Sequence, residues 1–163
     1  MTKMLNFALC LFVLVFAIQK KAVGAEYIHV PGKRPVVGIF QKENGITIGD
    51  VGHEANFCKD DSPYICFRMK TMAFAVPKKL EKFDEWTHEK EVYRIVQSFE
   101  MRGVYPVWVI EKTTGLKMWF VWSSYRGLLM FGEGSNKNQE GVYMLDGFCG
   151  FAASEACDRF QKK

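Results

Sequence analysis

Histidine is scarce in this chain, which has three copies, His29, His53 and His88. That scarcity limits the chemistry on offer, because histidine is the usual acid, base or metal ligand near neutral pH. Asp50, His53 and Glu54 lie close together, but the zinc-protease helix needs a second histidine four residues after the first, and Phe57 stands there. Asp50 and His53 would make a metal or catalytic pair only with a distant third group. On their own they read as a polar loop leading to Cys58. His88, in the charged stretch WTHEKE, reads as solvated, and His29, close to the expected mature N-terminus, as mobile.

Other signatures are missing as well. No phosphate-cradling G-x-x-x-x-G-K-[ST] occurs, and Gly132-x-Gly134 is followed by Lys137 where a dinucleotide fingerprint needs glycine. Ser123 and Ser124 lack the G-x-S-x-G elbow that exposes a nucleophile. Asp60-Asp61 and Asp84-Glu85 are neighbours along the chain, which does not place them across a substrate. No cofactor is implied, and no N-x-[ST] glycosylation acceptor is present. The strand-then-helix alternation of a doubly wound nucleotide fold is missing too.

Long hydrophobic runs are limited to one. Met4 to Ile18 follows Lys3, ends at Gln19-Lys20-Lys21, and precedes the small residues Val23, Gly24 and Ala25. A membrane helix needs about 20 apolar residues, so residues 1–25 read as a cleavable signal peptide with cleavage after Ala25. No span is expected afterwards. Residues 26–163 fit one domain, long enough to bury a real core.

Excess charge disappears with that segment. The 22 basic side chains less Lys3, Lys20 and Lys21 leave 19 against 18 acidic ones. Nothing in that balance points to nucleic acid or an anionic membrane.

Cysteine is present in just the number that export would use. Without Cys10, four remain: Cys58, Cys66, Cys149 and Cys157. An oxidising compartment favours disulfides, and structural zinc sites pair cysteines two to four residues apart, a spacing not found here. In CKDDSPYIC, Ser62-Pro63 can turn the chain so that Cys58 meets Cys66. CGFAASEAC has the same spacing. As one helix it would hold its cysteines about 12 Å apart, whereas a disulfide needs Cα atoms within about 7 Å. Local pairing of Cys149 with Cys157 therefore requires the helix to begin no earlier than Ser154.

What is abundant is short β-forming segments. Asn44-Gly45 between two apolar runs marks a hairpin within 36–49. One β-rich segment is expected over 65–76, ending at Pro77, and another over 92–99. Lys78 to Glu91 repeats Leu80, Phe83 and Trp86 at every third residue and reads as a short surface helix or a long loop. Residues 104–111 and 116–122 flank a turn ending in Gly115, and strands follow at 128–131 and 142–145. Gly132 to Gly141 reads as a solvated loop. The fold expected is mainly β: an antiparallel meander, open or curled towards a barrel, stapled by disulfides, with one minor helix.

Aromatic residues crowd the later hairpin: Trp108, Trp119, Phe120, Trp122, Tyr125 and Phe131. Alternation puts Leu116, Met118, Phe120 and Trp122 on one face, expected to be core, and Lys117, Trp119, Val121 and Ser123 on the other. Trp119, Trp122, Tyr125 and Arg126 are the candidate binding surface, with core the favoured account of the tryptophans. The leading expectation is a secreted or periplasmic binding or accessory module, inhibitor-like or immunity-like, that uses loops on a β-scaffold. Its partner is expected to be a protein or an envelope component. The alternatives are an envelope-acting hydrolase using Asp50 and His53, or a barrel carrying a small apolar ligand.

Overall fold

The computed structural model describes residues 24–161 apart from 31, 33, 42–43, 102–104 and 136–137; the expected signal peptide up to residue 23 lies outside the described residues. The chain is mostly β. In order come β1 Ala25–Val30, β2 Val37–Phe40, β3 Gly45–Ile48, β4 Val51–Glu54, β5 Asn56–Phe57, β6 Tyr64–Arg68, β7 Ala73–Pro77, a 3-10 turn Leu80–Lys82, β8 Glu85–His88, β9 Glu91–Met101, β10 Tyr105–Lys112, β11 Met118–Ser123, β12 Gly127–Ser135, β13 Asn138–Leu145 and α1 Glu155–Gln161.

Ten strands form one antiparallel sheet in the order β4-β3-β2-β1-β13-β12-β11-β10-β9-β8, and β5-β6-β7 form a second. The first and last long strands meet, Tyr27 opposite Leu145 and Val30 opposite Val142. β4 and β8 are edges, so the large sheet curls without closing into a barrel. The small sheet packs against its inner face. β7 is buried along its whole length, and Phe74 meets Phe120 at 5.0 Å and Trp122 at 5.6 Å between ring centroids. The Trp86 indole donates to the Ala75 carbonyl at 3.1 Å, joining β8 to β7.

Alternation in β11 sorts the side chains as expected. Met118, Phe120 and Trp122 enter the main core with Tyr27, Ile110 and Phe131. Leu116 precedes the strand and is 48% exposed. Trp119 and Val121 join Val107, Val109 and Leu129 in a separate apolar cluster on the other face.

Several segments differ from the sequence reading. The segment 65–76 is two paired strands, Tyr64 opposite Pro77 and Arg68 opposite Ala73, joined by a turn in which Met69 N–H donates to Met72 O at 2.8 Å. That turn contains no glycine, proline or asparagine to announce it. Lys78 to Glu91 holds a 3-10 turn followed by β8, and β8 pairs with β9 through Glu89-Lys90. Both of those residues have positive φ, 46° and 72°, which matches the turn type usually supplied by Asn-Gly. Within the polar run 132–141, residues 132–135 end β12 and 138–141 begin β13, and the two pair with each other, so these residues are hairpin arms rather than a free loop. His29 is held in β1, 6% exposed, its ring 5.2 Å from that of Tyr143.

Both disulfides form locally, Cys58–Cys66 and Cys149–Cys157, with Cα separations of 5.1 and 5.9 Å. The helix starts at Glu155, and the Ser154 hydroxyl accepts from Cys157 N–H at 3.3 Å, capping it.

Candidate functional site

The 149–157 loop seals one end of the core and carries the turn beside it. Phe151 is 4% exposed, with its ring 5.3 Å from Phe67 and 5.8 Å from Phe57. Its N–H donates to the Tyr27 hydroxyl, which in turn donates to the Leu128 carbonyl, each at 2.9 Å. Burial pushes the Tyr27 phenol above its ordinary value, so it stays protonated and can make both bonds. Gly127, at φ +76°, lies so close to the backbone of Phe151 and Ala153 that a Cβ would collide with it.

Backbone bonds then tie the β11–β12 turn to this loop. Ser154 N–H donates to Tyr125 O at 2.9 Å and Gly150 N–H to Arg126 O at 2.8 Å. Ser123 Oγ, fully buried, accepts from the N–H groups of Tyr125 and Arg126. The side chains of Tyr125 and Arg126 are half-buried. Arg126 lies over the Phe148 ring at 4.4 Å and donates from Nε to Phe148 O at 2.7 Å. The Tyr125 ring is 5.3 Å from Tyr105 and 6.5 Å from Phe148. The result is a rigid surface of two tyrosines, one arginine and one phenylalanine.

The four residues of the candidate surface therefore part company. Trp119 and Trp122 are each 3% exposed, whereas Tyr125 and Arg126 reach the surface. Tyr105 and Phe148 complete the patch; neither was legible as a neighbour of Tyr125, because one comes from the start of β10 and the other follows β13.

A second place gathers chemistry around the other disulfide. His88 Nε2 is 3.9 Å from Cys58 Sγ, and the His88 ring lies 4.7 Å from Tyr64. Burial, together with Arg68 and against Glu89, holds the imidazole below its usual range. A cavity of about 190 Å³ opens here, lined by Cys58, Cys66, Arg68, His88, Glu89 and Tyr93 among others. Beside it runs an ion network. Arg68 pairs with Glu89 at 2.8 Å and Glu91 at 3.7 Å, and buried Lys112 pairs with Glu91 at 3.1 Å. Burial works to raise the Glu91 carboxyl, yet the Thr114 hydroxyl, Lys112 and Arg68 together hold it below the ordinary value.

His53 lies in the exposed edge strand β4 and Asp50 directly before it. The one cluster of three or more metal-type ligands among the described residues is Cys58, Cys66 and His88, and neither Asp50 nor His53 belongs to it. Between the sheets, at the opposite end of β11 from Tyr125, an apolar cavity of about 90 Å³ is lined by Val37, Ile46, Met69, Met72, Met118 and Tyr143 among others. A cavity of about 150 Å³ is what takes up benzene, so this space as it stands suits only a few atoms.

No family model, no curated protein and no solved structure matches the chain.

Proposed function

We propose that this protein is a small exported binding module that meets a protein or envelope partner through the surface of Tyr105, Tyr125, Arg126 and Phe148. The observation that carries the reading is the anchoring of the Tyr125–Arg126 turn. Both carbonyls and both N–H groups of those residues are engaged by the backbone of the 149–157 loop and by Ser123. A turn fixed in this way loses little conformational entropy on binding. Tyrosine and arginine are also the residue types that dominate binding hot spots. The two disulfides fit an oxidising, extracellular type of compartment, and the apolar run Met4 to Ile18 supplies an export signal.

The test is photo-crosslinking from position 125 in a periplasmic or secreted fraction, followed by affinity measurement with the captured partner. Tyr125→Ala and Arg126→Ala should each weaken binding by about 1–2 kcal/mol, roughly 5- to 30-fold, while circular dichroism stays native. Capture that survives both substitutions, or turnover of envelope material with no captured partner, would overturn the reading.

A further inference from the structure

The Cys58–Cys66 bridge differs from an inert staple in one respect: a third soft-metal ligand faces it. Cys58 directly follows β5, Cys66 lies in β6, and His88 ends the edge strand β8, so two sheets converge on this point. The two sulfurs and a ring nitrogen of His88 all lie within 4.8 Å of one another. The cavity beside them is the larger of the two described above.

We propose that this cluster is a redox-gated metal site, which as a dithiol binds one thiophilic cation, Zn²⁺, through Cys58, Cys66 and His88. Opening needs a two-electron reductant, a dithiol. Its two thiols become a disulfide, the Cys58–Cys66 S–S bond breaks, and each cysteine gains a proton. Zn²⁺ then displaces both protons as two Zn–S bonds form, and His88 contributes its lone pair.

Geometry favours the exchange. Zinc sits about 2.3 Å from sulfur and about 2.0 Å from imidazole nitrogen. In a tetrahedral site that places nitrogen and sulfur about 3.5 Å apart and the two sulfurs about 3.7 Å apart. The Nε2 to Sγ distance of 3.9 Å is already close to this, so the main change is the parting of the two sulfurs. The β5–β6 segment 58–66 can allow it, since Lys59 to Asp61 are exposed. The fourth position is left to solvent or to a small ligand in the cavity, the arrangement of a three-ligand zinc site with an open coordination place. Cys149 and Cys157 lack such a third ligand among the described residues, which makes them an internal control.

The experiment is Zn²⁺ titration of the purified protein against a competing chelator, before and after reduction with a phosphine, with Co²⁺ as a spectroscopic substitute. The reduced protein should bind one Zn²⁺ per chain at least about 100-fold more tightly than the oxidised one, release two protons, and show thiolate-to-cobalt charge transfer. His88→Ala and His88→Asn should each cost at least about tenfold in affinity, and Cys58→Ser with Cys66→Ser should abolish the charge-transfer band. Affinity indifferent to reduction or to both His88 variants would overturn the proposal. So would a band that persists without Cys58 and Cys66, or a reduced protein whose folded near-ultraviolet signal is lost and not restored by Zn²⁺.

Discussion

The two disulfides close loops of identical length, each with a sequence separation of 8, yet they do different things. The 149–157 loop turns inward. It delivers Phe151 to the core, buries Cys157 completely, and fixes the Tyr125–Arg126 turn from behind. The 58–66 loop turns outward, with Lys59 to Asp61 exposed and its sulfurs beside a cavity and a histidine. A chain-entropy account assigns both the same stabilisation, about 3 kcal/mol at most. What distinguishes them is what each loop packs against: one is a plug, the other a surface clasp next to polar groups.

The sharpest way to break this contrast is Phe151→Ala, expected to cost about 4 kcal/mol in urea unfolding because it removes a ring packed among Phe57, Phe67 and Phe74. Asp61→Ala in the outward loop should stay within about 0.5 kcal/mol. Comparable losses for the two would erase the distinction. Next in size, Cys149→Ala with Cys157→Ala should cost about 3 kcal/mol or more, exceeding the loss for the Cys58 and Cys66 pair by about 1 kcal/mol, since the buried sulfur of Cys157 adds packing. Equal midpoints for the two double variants would argue that loop closure alone matters.

Tyr27→Phe comes third. It strands Phe151 N–H and the Leu128 carbonyl in the core and should cost about 2 kcal/mol, with the damage confined to the 149–157 end when amide exchange is measured. Acid should produce the smallest effect, and on the other side. The Glu91 carboxyl is held below its ordinary value of 4.5, so its contribution is present above that value and is lost as pH falls from there through the folded-state value. Nuclear magnetic resonance should show the Val92 amide, bonded to Thr114 Oγ1 at 2.9 Å, shifting with this titration while the Phe151 amide does not move. Glu91→Gln should remove the titration, and a Phe151 amide that follows the same curve would show the two regions to be coupled.

Much of this molecule can be read from its sequence, and the unread parts have physical reasons. Asn44-Gly45 announces its hairpin because Asn44 must adopt φ 48°. Local pairing of Cys149 with Cys157 follows from helix rise set against disulfide reach. By contrast, the hairpins at Met69–Met72 and Glu89-Lys90 use residues with no turn preference; their geometry is imposed by burial of β7 and of Trp86 on either side. The candidate surface was half legible. Alternation places Trp122 in the core and leaves Trp119 open, but the sequence gives no sign that Phe148 and Tyr105 flank Tyr125, since they meet only through sheet topology. The meeting of His88 with the 58–66 bridge is hidden for the same reason, 30 residues separating His88 from Cys58.

The hydrogen bond from Phe151 to Tyr27 spans 124 residues, and its partner bond from Tyr27 to Leu128 spans 101. Contacts of that reach cost chain entropy that a local turn does not, so no single hairpin can hold the tyrosine in place. Its two bonds exist only when β1, β12 and the 149–157 loop are assembled together, which makes the Tyr27 hydroxyl a reporter of the completed sheet.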